Sequence, residues 1–290
     1  MAANNLTYQF KTANIVVKII AINVLIFLLV RLSAFLMQTT PMAVTSWFVL
    51  PDGLGAFITQ PWSIITYSFL HFGFFHIFFN MYILYWFGRI VLNLFNEKRF
   101  LAIFLLGAIC GGLLYMLAYN LFPVFIGTNG YLLGASAAVR AIMIFIAAYS
   151  PNTEVMIFRF RIKLWHIGLA VILLDLIQIP TSGNAGGLIA HLGGALLGYL
   201  YAIQLAKGND IGKWFENILD WFENLLKPRT KKPFRKVHRT TQQNSPRSKS
   251  KVDASDHQKK VDGILDKIGK SGYESLTKAE KDFLFKAGKE

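Results

Sequence analysis

Six apolar runs dominate the chain, at residues 15–35, 71–92, 100–121, 133–149, 163–179 and 187–205. A helix needs about 20 mostly apolar residues to cross the hydrocarbon core of a bilayer. In that solvent every backbone N–H and C=O must be bonded within the segment, so an apolar run of that length reads as a helix. The runs predict an all-α, polytopic membrane protein with six transmembrane helices and a C-terminal tail. The fourth and fifth runs are short, which suits helices buried among others. Hydrophobic residues make up 54% of the 290 positions, more than soluble domains usually carry. The first run is too long for a signal-peptide core and reads as a retained span.

The formal net charge of +14 would suit a nucleic-acid partner if it were spread over one surface. It is not. Most Lys and Arg lie after Ala206, and the others cluster in alternate connections between the apolar runs. Residues 37–70, 122–133 and 178–188 contain neither, whereas the opposite connections carry Arg89, Lys98 and Arg99, then Arg159, Arg161 and Lys163. This is the asymmetry that orients membrane proteins, and it predicts both termini in the cytoplasm. The expected partner is the lipid bilayer, with no nucleic acid. Cys110 is the only cysteine, so no internal disulfide can form.

The connection 37–70 is apolar, and Asp52 is its one charged residue. It holds Trp47, Phe48, Phe57 and Trp62. Aromatic residues of this kind favour the membrane interface, and packing on the helix bundle is the alternative. Residues 1–14 read as a short N-terminal cytoplasmic segment, 15–206 as the membrane domain, 207–260 as an amphipathic helix and basic linker, and 261–290 as a small helical module. Apolar residues at helical spacing over 211–226 suit a helix along the inner leaflet. The composition of 227–257 is that of a disordered linker. Thr277 followed by Glu280 is a capping-box pattern that starts a final helix.

Polar groups within membrane helices are costly and mark candidate functional sites. His76 and Asn80 are four apart and share a helix face. A structural bond between helices is as good a reading of that pair alone. Ser136 stands at the start of the fourth run, after Gly134, which permits an unusual backbone entry. Serine in such a helix commonly bonds only to its own backbone. His191 sits among Gly187, Gly194 and Gly198, a small-residue face that lets two helices pack closely.

Together these residues resemble the rhomboid family. Its pattern is His-x-x-x-Asn in the second span, Gly-x-Ser-Gly at the start of the fourth and Ala-His-x-x-Gly in the sixth. Here the corresponding stretches read HIFFN from His76, GASA from Gly134 and AHLGG from Ala190. The resemblance covers roughly residues 15–206. It implies a six-helix bundle and an intramembrane serine endopeptidase with a Ser136–His191 dyad and no acidic third member. His76 and Asn80 would hold the oxyanion, and His71 would steady the preceding loop. Substrates would be membrane-anchored proteins cut in or near a transmembrane segment. No cofactor and no metal are implied; none of the histidines is followed by Glu, as a His-Glu-x-x-His zinc helix requires. The final stretch resembles a helical module found after some bacterial rhomboid domains, which suits a cytoplasmic partner. The expected location is a bacterial cytoplasmic membrane.

Three positions depart from the family pattern. Ala137 replaces the glycine after the serine, and its methyl would crowd the site. Ser63 replaces the arginine after Trp62, so the loop needs another anchor. Arg140 replaces an aromatic residue, about 6 Å along the helix from Ser136. An arginine at that depth needs a partner, and Asp175 in the fifth run is the candidate. The alternative is that Arg140 reaches the cleft itself. Ala137 and Arg140 favour a competing reading, a catalytically inactive pseudoprotease that binds or sorts membrane proteins; retention of Ser136, His191, His76 and Asn80 opposes it.

Overall fold

The computed structural model describes residues 6–157, 159–226 and 250–287. The chain divides into two compact units, Met1–Pro228 and Arg229–Glu290.

In the first unit, α1 (Leu6–Thr12) leads into α2 (Ile15–Leu36), which begins where the Asn14 side chain accepts a hydrogen bond from the Val17 N–H. A cap of this kind satisfies one of the free donors of the first turn. The next connection holds α3 (Pro41–Thr45), strand β1 (Leu50–Pro51), α4 (Leu54–Thr59) and α5 (Ser63–Thr66). Helix α6 (Phe74–Leu94) turns at Phe95 and Asn96 into α7 (Glu97–Leu121), whose start is capped by Asn96. Strand β2 (Tyr131–Leu132) precedes α8 (Ser136–Tyr149). A hairpin of β3 (Glu154–Ile157) and β4 (Phe160–Lys163) leads to α9 (Leu164–Gln178), then α10 (Ala185–Ala206) and α11 (Lys213–Leu226).

Four helices, α2, α6, α7 and α10, are long and apolar enough to cross a membrane; α8 and α9 are apolar but shorter. The outer faces suit lipid. Leu25, Leu28, Leu29 and Leu32 of α2 are all exposed, while Val16, Ile19, Asn23, Val30 and Ala34 turn inward. Helix α8 is the centre of the bundle, with Ala137 to Val139 and Ala141 to Ala147 buried.

Small residues let its neighbours approach. A Cβ added at Gly194 of α10 would stand 2.0 Å from the Ala137 carbonyl oxygen, and one at Gly198 would stand 2.3 Å from that of Ala141. On α7, a Cβ at Gly107 would meet the Ala141 methyl at 2.3 Å. Close backbone approach of this kind supplies packing where lipid offers no hydrophobic drive between helices.

Two short antiparallel ribbons are additional to the helical expectation. β1 pairs with β2, Leu50 opposite Leu132, and β3 pairs with β4. The β1–β2 pairing ties the 37–70 connection to the segment entering α8. The same connection is also bonded to itself and to α7. Trp62 Nε1 donates to Trp47 O (2.7 Å), Gln60 Nε2 to Val49 O (2.9 Å), Thr66 Oγ1 to Phe48 O (2.8 Å) and Tyr67 OH to Ala108 O (2.7 Å). These bonds anchor the loop in place of the arginine that Ser63 lacks. Ser63 is fully buried, so a long cation has no room there.

At the face bearing Lys98 and Arg99, Arg99 pairs with Asp210 and lies 3.5 Å from buried Glu216, while Lys98 pairs with Asp220 and, at 3.1 Å, with Glu223. These pairs hold the acidic side of α11, leaving Trp214, Trp221, Phe222 and Leu225 exposed. Burial pushes the Asp210 carboxyl up, but hydrogen bonds from Tyr201 and Arg99 outweigh it and keep the group below the usual carboxylate range.

The second unit contains α12 (Ser250–Ser271) and α13 (Lys278–Ala287). Glu280 accepts from the Thr277 N–H (2.7 Å) and hydroxyl (2.9 Å), and the Glu280 N–H donates back to Thr277 Oγ1 (3.4 Å). This is the reciprocal capping box expected from those two residues. The stretch 227–249, most of the expected linker, lies outside the described residues.

Candidate active site

A cleft of about 570 Å³ opens between α6, α8 and α10. Ser136, His191, His76, Asn80 and Arg140 all line it, with Asn184, Gly187 and Tyr131. Residues more than a hundred positions apart meet here because of helix contacts already described. Gly194 rests on the backbone of Ala137; His191 lies one turn before Gly194, and Ser136 lies next to Ala137. The small-residue contact therefore brings serine and histidine to one cavity.

Gly134 has φ +114, a conformation that side chains rarely adopt. A Cβ there would also stand 2.7 Å from the His76 ring and 3.9 Å from Ser136 Oγ. Glycine is thus required twice, by its dihedral and by the histidine beside it. The turn is held from behind. The Gly134 N–H donates to Tyr67 O (2.9 Å), and the Ala135 N–H donates to His71 Nε2 (3.3 Å). To accept that bond His71 must be neutral, with its proton on Nδ1. Its ring packs edge-on against His76, 4.8 Å between centroids. Asn80 spends one amide hydrogen on His76 O (2.9 Å), which fixes the side chain and leaves its second amide hydrogen as a donor.

The methyl of Ala137 points at α7, where a Cβ on Gly111 would meet it at 2.5 Å. A glycine on the facing helix therefore accommodates the extra carbon after the serine, and the crowding expected from the sequence is relieved.

Arg140 forms the direct pair with Asp175: Nε donates to Oδ2 (2.8 Å) and Nη2 to Oδ1 (3.1 Å). Both sequence alternatives for Arg140 coexist, since it also lines the cleft. What the resemblance did not imply is an acidic neighbour of the histidine. Asp175 Oδ1 lies 3.2 Å from His191 Nδ1. The separation is that of an ion pair, but the N–H is not aligned as a hydrogen bond. Among the described residues no group of three or more His, Cys, Asp and Glu is placed to hold a metal.

The rhomboid domain model matches residues 59–208, more than half of the chain and all of this site. The chain belongs to the rhomboid family. Its relatives include the human mitochondrial presenilin-associated rhomboid-like protein, 30% identical over 203 residues, which are 68% of this chain and 49% of that protein. Rhomboid protein 1 of Saccharomyces cerevisiae mitochondria is 26% identical over 170 residues, 55% of this chain and 49% of that protein. The mitochondrial RHOMBOID-like protein 12 of Arabidopsis thaliana is 30% identical over 158 residues, 50% and 47% of the two chains. This rhomboid chain thus spans about half the length of the curated relatives it matches. Residues 249–287 match a separate family of unknown function (DUF6576).

The relatives correct one expectation. All three are mitochondrial proteins by name, which contradicts the assignment to a bacterial cytoplasmic membrane with cytoplasmic termini. The physical reason is plain. A Lys and Arg asymmetry reports which connections share a side, and it says nothing of which membrane or compartment that side faces.

Proposed function

We propose that the chain is an intramembrane serine endopeptidase, with the six apolar helices α2, α6, α7, α8, α9 and α10 all spanning and residues 15–206 forming the catalytic domain. The observation that carries this reading is the convergence of Ser136, His191, His76 and Asn80 on one cleft through the Gly194–Ala137 contact.

His191 Nε2 takes the Ser136 hydroxyl proton as Oγ attacks a substrate carbonyl carbon. The tetrahedral oxyanion is met by the Ser136 N–H, His76 and the free amide hydrogen of Asn80. One such fixed donor lowers the barrier by about 3 kcal/mol in serine hydrolases. The proton then passes from His191 to the leaving amine, leaving an ester on Ser136. Water, deprotonated by His191, hydrolyses the ester and restores the serine. Substrates are membrane-anchored proteins whose helix unwinds near the cut, because a helical peptide bond is shielded by its own turn. The names of the relatives favour a mitochondrial membrane as the location.

The pseudoprotease reading rested on Ala137 and Arg140. Gly111 makes room for the first and Asp175 neutralises the second, which supports the protease. Labelling with a fluorophosphonate tests this. The expected result is one adduct, located at Ser136 by mass spectrometry and lost in His191→Ala; absence of labelling in the folded chain favours the pseudoprotease.

A further inference from the structure

We infer that Asp175 is a positioning residue for His191, held in place by Arg140, so that the Ser136–His191 pair is extended to a chain of four groups. The inference rests on the protease reading and adds to it the control of the base.

Asp175 is out of keeping with its helix. Leu173, Leu174, Leu176 and Ile177 are exposed on the outer faces of α9, while Asp175 is 4% exposed and turned inward. A carboxylate in an apolar helix is expensive unless it is paired. Arg140 alone would satisfy that need with its two bonds. The side chain does more than that: Oδ1, one of the two oxygens bound by the guanidinium, is also the atom 3.2 Å from His191 Nδ1. Helices α8 and α10 therefore each bring one group to a single carboxylate carried by α9.

The chemistry follows from which ring nitrogen faces the acid. A carboxylate beside Nδ1 favours the tautomer with its proton there, and this leaves the Nε2 lone pair free. That is the form a base must have to receive the serine proton. As Oγ attacks, the proton moves from Ser136 to Nε2 and the ring becomes an imidazolium. The Nδ1 proton stays on the ring, now facing a full negative charge. When the amine leaves, Nε2 returns its proton and the ring is neutral again. Asp175 neither gains nor loses a proton. The contact is an unaligned one before reaction, so a small rotation of the ring would tighten it at the moment charge develops.

Arg140 supplies the counter-charge that lets the carboxylate exist at that depth. Its planar fork fixes the orientation of the carboxylate as well as its charge. By sharing Oδ1 it also limits how strongly the acid pulls on the histidine.

Two measurements on the full chain test this. Solid-state ¹⁵N spectra of the histidine-labelled wild type in bilayers report the tautomer directly. The expected signature at His191 is a protonated Nδ1 and an unprotonated Nε2; a dominant Nε2–H tautomer would overturn the proposal whatever the variants do. The second measurement is kinetic. Asp175→Asn is expected to lower kcat about 10- to 100-fold, less than the roughly 10⁴-fold cost of the equivalent change in an aligned triad, with KM changed less than twofold. Because that variant strands Arg140, the charge-free pair Arg140→Met with Asp175→Asn is measured beside it and is expected to show the same kcat loss. Wild-type kcat in either variant would refute the inference while leaving the protease reading intact. A wild type that neither cleaves nor labels would instead remove the protease reading.

Discussion

Gly194 lies against the backbone of Ala137 so closely that a methyl group on it would come within 2.0 Å of the carbonyl oxygen. The contact sets the register of α10 against α8, and with it the meeting of His191 and Ser136.

Gly194→Ala should therefore destabilise the membrane domain. Alanine favours a helix interior by about 1 kcal/mol over glycine. The clash is with backbone, which has no rotamer to yield, and overpacking of this kind costs about 1–3 kcal/mol or more. The clash wins, and the thermal midpoint in detergent falls, with loss of Ser136 labelling. Gly263→Ala in α12 is the contrasting case. Nothing lies within 4 Å of an added Cβ there. That change should slow hydrogen exchange across α12.

Gly111 and Ala137 form a matched pair. Gly111→Ala places two methyls 2.5 Å apart and should destabilise. Adding Ala137→Gly should restore part of the loss, giving a coupling energy of about 0.5–3 kcal/mol, the range for residues in contact. Restoration should be partial, since the new Cβ also stands 2.8 Å from the Ala190 carbonyl oxygen. Strict additivity of the two changes would contradict the pairing.

Glu280 gives the second unit a pH dependence. The Thr277 N–H, then Lys267 and the Thr277 hydroxyl, bring its carboxyl from 4.5 down to about 2. A carboxyl depressed in the folded state stabilises above its unfolded value and loses that contribution as pH falls through the folded one. Hydrogen exchange in 261–287 should therefore show opening that becomes easier between pH 4.5 and about 2. Glu280→Gln should be less stable at neutral pH and flat over that window.

The six apolar helices were legible because hydropathy over a long window is insensitive to detail. Their ends were less so. Helix α7 begins at Glu97, before its apolar run, because Asn96 caps it; α6 begins at Phe74, three residues into its run, because the backbone is extended at Leu70 and Gly73, on either side of the His71 that accepts from the Ala135 N–H. The candidate site residues were legible as a resemblance, each motif being local. The pairing of Arg140 with Asp175 was legible too, from the cost of a lone cation at depth. The contact of Asp175 with His191 was not, nor that of Ala137 with Gly111. Both depend on how neighbouring helices cross, and no local pattern encodes a crossing. Residue type held a signal in each case: an acid in an otherwise apolar helix, and a glycine facing the one position that gained a methyl. The two- to four-residue ribbons β1–β2 and β3–β4 are too short for any periodicity to show.

The most direct test of the account is cleavage of single-span reporter proteins by the purified full chain in bilayers, beside Ser136→Ala and His191→Ala of matched thermal stability. Cleavage within or next to the reporter's span is expected from the parent, and none from either variant. Cleavage that survives Ser136→Ala, or a parent that cuts none of several reporters and takes no fluorophosphonate, would contradict it.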